Sequence, residues 1–321
     1  MIVPPLLEVS GLRTEFETAR GTILAVDGVS FTIERGEVLG LVGESGCGKS
    51  VTSLSILRLV PPPGRVAAGR ILLEGEDLLA KDAEAMRRVR GARIGMVFQE
   101  PMTSLNPVFS IGDQIAAAAL AHGGGRTAAW RRAVEMLQLV QVPSARERVG
   151  DYPHQLSGGL RQRAMLALAL VSGPRLLIAD EPTTALDVTI QAQILDLLRR
   201  LQAERGMSVL MITHDLGVVA ELCHRVAVIY AGRIVEMGPV ARIFERPLHP
   251  YTRGLLRCLP HPSRFGRPLF SIEGVPPDLR RTPVGCRFAP RCPDVIESCR
   301  RVEPALTERE PGHSVACPVS T

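Results

Sequence analysis

The chain has 321 residues, of which 45% are hydrophobic and 4% aromatic, and its formal net charge is +5. This length is enough for one large domain with its own core and a smaller second domain. No run of roughly 18 apolar residues occurs and the N-terminus lacks the pattern of a secretory signal, so we expect the chain to stay in the cytoplasm. Acidic and basic residues are interspersed. The sequence has no basic block with interleaved aromatics, so it gives little support to nucleic-acid binding.

Short strand-like segments open the chain and are separated by glycine turns. They predict an antiparallel β layer ahead of the apolar run 38–42. The predicted strands of this layer cover 6–10, 12–16, 23–26 and 29–33.

Helical and strand patterns then alternate as far as about residue 245. The helical patterns cover 51–59, 84–90, 111–121, 127–140, 158–171 and 189–205. The strand patterns cover 70–73, 93–98, 175–179, 207–212, 225–231 and 233–235. The segments 175–179 and 207–212 are apolar enough to be buried on both faces of a parallel sheet. We therefore predict an α/β domain over 1–245, with a helical subdomain at about 100–172, and a small appended domain over 246–321, where prolines become dense.

A glycine-rich loop between a strand and a helix carries the first functional signal. It reads Gly43-Glu44-Ser45-Gly46-Cys47-Gly48-Lys49-Ser50. Its glycines let successive backbone N–H groups point at an anion, and the start of the helix adds its positive dipole end. Lys49 can reach the β and γ phosphates of a nucleotide, and the Ser50 hydroxyl can bind Mg²⁺. A nucleotide site is therefore predicted, with contacts from Gly43, Ser45, Gly46, Cys47, Gly48, Lys49, Ser50 and Val51.

Two carboxylates follow the apolar strand at 176–179. Asp180 could hold Mg²⁺ directly or through water, and Glu181 could polarise an attacking water. An acidic turn after a buried strand is common, so this pair alone is only moderately specific.

A second anion-binding helix start is predicted within 156–162, where Ser157, Gly158 and Gly159 precede a helical pattern. The alternative is a purely structural helix cap, for which Ser157 is well suited.

Three further polar residues follow predicted strands or turns. Gln99 could bind the metal and contact the γ-phosphate, and His214 could contact the γ-phosphate as well. Asp187, in the segment 185–187, could lie across a subunit boundary. A lone glutamine or histidine would usually be structural, so these assignments depend on the order and spacing of the whole set.

That order resembles the ATP-binding-cassette family over roughly residues 6–245. The resemblance implies a Walker A loop at 43–50, a Q-loop glutamine at Gln99, a signature at 156–162 and a Walker B strand ending at Asp180. It also implies a catalytic Glu181, a D-loop at 185–187 and a switch histidine at His214. The implied fold is an ABC-type nucleotide-binding domain with a RecA-like parallel-sheet core, an antiparallel β layer and a helical subdomain.

Two positions need separate comment under this resemblance. Phe16 is similar to the aromatic residue that stacks on adenine in the family, and the less favoured alternative is a core residue of the β layer. Leu160 stands where many members carry glutamine, but the serine and glycines that face phosphate are intact, so we expect activity to be unaffected.

A narrower resemblance is carried by Glu44-Ser45-Gly46 and by the segments 98–107 and 247–252. These segments are similar to those of the ATPase subunits of peptide and nickel importers. The resemblance implies a peripheral protein on the cytoplasmic face of the inner membrane, in which 99–107 meets the permease loops. The implied partners are a second cassette subunit, expected to be a different chain, two transmembrane permeases and, through these, an extracytoplasmic substrate-binding protein.

In the family's mechanism, two cassettes enclose two ATP molecules head to tail. Ser157, Gly158, Gly159 and Asp187 would then serve the nucleotide of the partner subunit.

Four of the seven cysteines cluster near the C-terminus. Cys286, Cys292, Cys299 and Cys317 have the spacing Cys-x5-Cys-x6-Cys-x17-Cys. Thiolates in a reducing compartment suggest a metal before a disulfide, and the residues alone leave Zn²⁺ and an iron–sulfur cluster open. The importer resemblance implies a [4Fe–4S] cluster in a small Cys-rich C-terminal domain.

The function expected from these observations is an ATP-hydrolysing subunit of an importer for di- and oligopeptides. Nickel import by the same architecture is one alternative. Another is a soluble cassette ATPase for nucleic-acid or ribosome work, although such proteins usually fuse two cassettes in one chain. A non-enzymatic, metal-dependent scaffold would require disrupted hydrolytic residues, and here these are intact.

Overall fold

The computed structural model describes residues 4–99, 104–184, 187–259 and 270–319. Their contacts divide the chain into two compact units. The first unit contains the described residues of 1–33, 38–79 and 212–321, and the second contains those of 34–37 and 80–211.

The strands of the described residues are numbered in chain order. They are β1 (Leu7–Thr18), β2 (Gly21–Ile33), β3 (Val38–Val42), β4 (Gly64–Leu73), β5 (Glu76–Asp77), β6 (Ile94–Val97), β7 (Leu176–Asp180), β8 (Ser208–Thr213), β9 (Arg225–Tyr230), β10 (Arg233–Pro239), β11 (Thr307–Glu310) and β12 (His313–Val315).

The helices are identified by their bounds. The α-helices are Lys49–Ile56, Ala83–Val89, Ile111–Leu120, Arg126–Leu139, Ala145–Arg148, Gly158–Leu170, Val188–Arg205, Leu216–Leu222, Val240–Glu245, Pro250–Arg257 and Glu297–Arg301. Short 3₁₀ turns cover Pro153–Gln155 and Ala289–Arg291. None of the helices among the described residues is long and apolar enough to span a membrane.

An antiparallel sheet in the first unit has the strand order β2-β1-β4-β5. The antiparallel β layer is therefore present, but the prediction of four short strands at its start was wrong, because β1 and β2 are two long strands. The pairing register shifts between Val9 and Leu12, where Gly11 has a φ of 58°. This irregularity breaks the alternation of buried and exposed residues that marks one continuous strand in the sequence. Similarly, β4 begins at Gly64 rather than at residue 70.

The other strands of the first unit follow the order β11-β12-β10-β9-β3. β3 and β9 are parallel, whereas β10 pairs antiparallel with both β9 and β12. A buried cluster on this sheet includes Val42, Tyr230, Tyr251 and Phe288. The last two of these residues come from beyond position 245, so the C-terminal residues share the core of the first unit. A separate Cys-rich C-terminal domain is therefore not supported.

The second unit contains strands in the order β8-β7-β6, of which β6 and β7 are parallel. All five residues of β7 are buried, as expected for a strand covered on both faces. The helices Ile111–Leu120, Arg126–Leu139 and Gly158–Leu170 lie in this unit and match the predicted helical patterns within a few residues. The domain boundaries predicted from the sequence remain a prediction.

Candidate functional site

The glycine-rich loop joins the fully buried strand β3 to the helix Lys49–Ile56. Gly48 is the N-cap of this helix and has a φ of 106°, a conformation that favours glycine. A Cβ atom at this position would also collide with the carbonyl oxygen of Ala25. The cap makes no side-chain hydrogen bond and the first turn has no acidic residue. This helix start therefore presents backbone N–H groups without a competing side-chain acceptor at the cap, as a phosphate site requires.

Lys49 is almost completely buried within the loop, with 5% of its surface exposed. Its Nζ donates to the carbonyl oxygens of Gly43, at 2.8 Å, and Glu44, at 3.0 Å. Burial raises the pKa of the neighbouring Cys47 thiol, although the charge of Lys49 opposes this. The ammonium group is thus held by the loop itself, and a phosphate can replace those carbonyls as its partner.

The oxygen donors predicted for Mg²⁺ are hard ligands of the type this ion prefers. Ser50 lies in the first turn of its helix, in the first unit. Asp180, 2% exposed at the end of β7, and Gln99, exposed after β6, lie in the second unit. The chemistry of these donors fits Mg²⁺, which would bind the phosphates when present.

Phe16 lies on β1 and is half-buried. It pairs with Gly64 of β4, where a Cβ atom would collide with the Phe16 ring. The ring therefore packs across the neighbouring strand at a residue without a side chain. Its assignment to adenine stacking remains a prediction.

Glu181 follows β7 with a φ of 48°, in a tight turn. Its Oε2 accepts hydrogen bonds from Thr184 Oγ1 at 2.9 Å and from Gln99 Nε2 at 3.3 Å. The structure thus brings together Gln99 and Glu181, two residues predicted from the sequence. The contribution of Thr184 was missed, and its signal would have been a hydroxyl three residues after the glutamate. Residues 100–103, 185 and 186, which complete the predicted permease-facing and D-loop segments, lie outside the described residues.

The predicted signature residues lie at the start of the helix Gly158–Leu170. Ser157 caps this helix by accepting a hydrogen bond from the Leu160 N–H at 3.4 Å. The serine therefore acts as the helix cap that the sequence offered as the alternative to a phosphate contact. A Cβ atom at Gly159 would lie 2.8 Å from Ile190 Cγ2, so this glycine allows two helices to approach closely. Asp187 caps the second of these helices by accepting from the Ile190 N–H at 2.9 Å. Ser157, Gly158 and Asp187 are exposed, as a surface for a partner must be.

His214 follows β8 and is exposed. The next residue, Asp215, caps the helix Leu216–Leu222 through the Gly217 N–H at 2.7 Å. The structure thus places His214 directly ahead of a helix start, and its predicted contact with the γ-phosphate remains a prediction.

The four C-terminal cysteines do not fit the predicted metal site. Burial raises the pKa of Cys286 to about 11 and also raises that of Cys292. Among the described residues, which include all four cysteines, no three His, Cys, Asp or Glu side chains are placed to hold a metal ion. Neither the predicted [4Fe–4S] cluster nor its Zn²⁺ alternative is supported.

Charged pairs hold the C-terminal residues instead. Buried Asp27 on β2 binds Arg287, and it also accepts from Arg13 at 2.7 Å and Arg233 at 3.0 Å. Burial raises the pKa of Asp27, but these three guanidinium groups together hold it below its usual value. The expectation of a metal arose from the four clustered cysteines. Buried ion pairs of this kind leave no pattern in the sequence.

Comparisons with known proteins agree with this geometry. Residues 26–184 match the ABC transporter family, and residues 235–299 match the C-terminal region of oligopeptide/dipeptide transporters. The chain is 55% identical to a putative peptide import ATP-binding protein of Brucella melitensis, over 98% of this chain and 96% of that protein. It is 51% identical to the dipeptide transport ATP-binding protein DppD of Bacillus subtilis, over 97% of this chain and 94% of that protein.

A solved structure is similar as well. The dimeric ATP-binding cassette MJ0796, in a post-hydrolysis state with ADP and Pi, superposes with a TM-score of 0.66 at 25% identity. The match covers 73% of this chain and 98% of that one. The predicted cassette fold, with its mixed α/β sheets, is thereby confirmed.

Proposed function

The chain belongs to the ABC transporter family as an ATP-hydrolysing cassette, and we propose that it drives the import of di- and oligopeptides through membrane permeases. The observation that carries this proposal is the presence of two matches in one chain. A cassette with its phosphate loop intact is followed by the C-terminal region of oligopeptide/dipeptide transporters. The relatives over nearly the full length are named for peptide and dipeptide transport, which supports the same substrate class here.

The geometry of each unit supports the residue roles that we propose. The helix start after Gly48, which has no side-chain cap, and the buried ammonium of Lys49 bind the phosphates of ATP. Glu181 is the general base that takes a proton from the attacking water, and Gln99 and Thr184 hold its carboxylate. Ser50, Gln99 and Asp180 each offer an oxygen of the kind that Mg²⁺ prefers, and Mg²⁺ would offset the charge of the phosphates.

The assembly we propose is a pair of cassettes that encloses two ATP molecules. The dimeric state of the cassette MJ0796 supports this arrangement. Ser157, Gly158, Gly159 and Asp187 are then directed to the nucleotide of a partner subunit, which we expect to be a different chain. His214 contacts the γ-phosphate, and Phe16 stacks on the adenine.

The pair would bind two permease subunits on the cytoplasmic face of the inner membrane, as a peripheral protein. The segment 99–107 would meet the permeases, and a substrate-binding protein outside the membrane would deliver the peptide to them. No observation favours nickel import or nucleic-acid work over peptide uptake.

The proposal is tested by purifying the chain with its permeases and partner cassette and reconstituting the complex in lipid vesicles. ATP is supplied on the cassette side, and a radiolabelled dipeptide with the binding protein is supplied on the other. We expect dipeptide uptake that depends on ATP, with radioactive nickel as the matched substrate control. Uptake of nickel without dipeptide would support the alternative importer, and ATP hydrolysis without any uptake would contradict the proposal.

A further inference from the structure

The second residue of the phosphate loop, Glu44, is bound by an arginine that follows it by 247 positions. Arg291 donates from one terminal nitrogen to Glu44 Oε2 at 2.7 Å and from the other to Glu44 Oε1 at 2.9 Å. The Arg291 side chain is 4% exposed and that of Glu44 is 27% exposed. This two-point pairing fixes the orientation of both groups, which a single point charge would not do.

Arg291 is itself fully engaged. Besides Glu44, it donates to the Tyr230 hydroxyl at 3.3 Å and to the carbonyl oxygens of Ile272 at 3.2 Å and Glu273 at 3.0 Å. These contacts use each of the five N–H groups that a guanidinium offers. The hydrogen bonds to Glu44 raise the pKa of Arg291, so the guanidinium group stays charged. Because Arg291 cannot swing away without losing several partners, it is a rigid support.

The backbone of Glu44 is held by another residue from beyond position 245, in the part of the chain that we call the C-terminal region. Its N–H donates to the hydroxyl of Tyr251 at 2.9 Å, and Tyr251 is completely buried. The Tyr251 ring packs against Tyr230 and Phe288, with centroids 4.6 Å and 5.4 Å apart. The Glu44 carbonyl accepts from Lys49 Nζ at 3.0 Å. The amide and carboxylate of this one residue are therefore fixed by the C-terminal region, and its carbonyl by the phosphate-binding lysine.

Simple attachment of the C-terminal region does not require this contact. Arg287 already binds buried Asp27 and donates to the Ala231 carbonyl at 2.6 Å. His313 Nε2 lies 2.8 Å from buried Glu236 Oε1. A buried ion pair is in general weak evidence for stability, because desolvation offsets much of its attraction. Because the Arg291–Glu44 pair lies on the phosphate loop itself, its main effect is on the geometry of that loop.

We propose that Arg291 is a positioning residue for the phosphate loop, so that the C-terminal region sets the affinity for ATP through Glu44. The proposal rests on the proposed function as an ATPase. A loop already held in one conformation loses less entropy when phosphates bind, and that gain appears as affinity. By linkage, ATP binding also stabilises the docked state of residues 270–319, so nucleotide and C-terminal region influence each other.

The test measures the dissociation constant of a fluorescent ATP analogue with the full-length chain. Arg291→Ala and Glu44→Gln should each raise it about 10-fold, as loss of preorganisation does. The double variant should be no weaker than either single one, because both act through the same contact. Arg291→Lys should fall in between, since it keeps the charge but loses the fork. In the assembled complex, KM for ATP should rise while kcat at saturating ATP stays within about twofold.

Arg253→Ala is the matched control, because Arg253 forms an exposed pair with Asp294 in the same region. It should bind ATP as the wild type does. Glu44→Gln changes the loop and leaves every residue of the C-terminal region, including Arg291, in the sequence, so it tests the idea even if Arg291→Ala misfolds. Wild-type affinity in Glu44→Gln, or additive losses in the double variant, would overturn the positioning role. Failure of the wild-type chain to bind ATP would instead contradict the proposed function.

Discussion

The phosphate loop and the turn after β7 are held by different kinds of contact. In the loop, Glu44 is fixed by Tyr251 and Arg291, which are buried and lie 207 and 247 positions away in the sequence. In the turn, Glu181 accepts hydrogen bonds from Thr184 and Gln99, which are both exposed. The partners of Glu44 and Glu181 therefore differ in burial.

Burial decides how easily each contact can rearrange. Buried, fully engaged side chains keep one geometry, whereas exposed hydrogen bonds exchange with water at little net cost. On the proposed roles, the loop that binds ATP would therefore be set in advance, whereas the hydrogen bonds of Glu181 to Thr184 and Gln99 would rearrange at little cost. Binding and hydrolysis should consequently respond to different substitutions.

Glu181→Gln should separate ATP turnover from ATP affinity most strongly, because it keeps the size of the side chain but removes the base. ATP turnover by the assembled complex should fall at least about 10²-fold, the usual cost of losing a general base. ATP affinity should stay unchanged, because the loop is untouched. Phosphate release and equilibrium binding measure the two effects, and Glu204→Gln, on an exposed helix surface, is the control. Near-normal turnover would remove Glu181 from its role.

The buried side of the comparison can be tested at Asp27, which lies among three arginines. Asp27→Asn should lower stability by about 3 kcal/mol, since it removes the closer of the two carboxylates that pair with the buried Arg287, the other being Glu303 at 3.5 Å. Urea unfolding followed by circular dichroism measures this loss. Asp278→Asn, which breaks an exposed pair with Arg280, should leave the transition where it is. Equal effects from the two substitutions would mean that burial does not distinguish these pairs.

The exposed side can be tested at Thr184. Thr184→Val removes the hydroxyl that donates to Glu181 and should lower kcat about 5-fold, or about 1 kcal/mol. Thr184→Ser keeps the hydroxyl and should restore most of the rate, which steady-state kinetics of the complex will measure. If the serine variant were as slow as the valine variant, the hydrogen bond would not explain the effect.

The smallest expected effect concerns His249, which caps the helix Pro250–Arg257 beside Tyr251. Burial, with a contribution from Arg253, lowers the pKa of His249 to about 3, so it is neutral in the folded protein. The unfolded chain takes up the proton first, and stability is therefore lost as the pH falls below about 6.5.

As the pH falls from about 7.5 to about 6, protonation of His249 in the unfolded chain should lower the free energy of unfolding by about 0.8 kcal/mol. His249→Asn keeps an acceptor for the helix cap and removes the titration, so its stability should vary less with pH than that of the wild type. Parallel curves for the two proteins would show that His249 is not the source.

Short-range features of the molecule could be predicted from the sequence because each has a local pattern. The loop 43–50, the apolar strand before Asp180 and the helix near 158–171 all lie where periodicity and glycines placed them. The proximity of Glu181 and Gln99 has a simple cause as well. The two residues follow the parallel neighbouring strands β7 and β6, whose carboxyl ends meet at one edge of the sheet.

Long-range polar contacts could not be predicted in this way. Arg291 and Glu44, like Asp27 and Arg287, are ordinary charged residues that gain meaning only when the fold joins distant segments. The C-terminal region was expected to hold a metal because four of its cysteines are clustered. In the structure, aromatic packing of Tyr251 and Phe288 with these ion pairs holds it in place.

The most direct measurement is an ATP titration of the full-length wild type, Arg291→Ala and Glu181→Gln under identical equilibrium conditions. The account predicts that Glu181→Gln binds as tightly as the wild type, while Arg291→Ala binds about 10-fold more weakly. If Arg291→Ala bound as tightly as the wild type, or if Glu181→Gln lost as much affinity as Arg291→Ala, the division between a preset binding loop and an adjustable hydrolytic carboxylate would be contradicted.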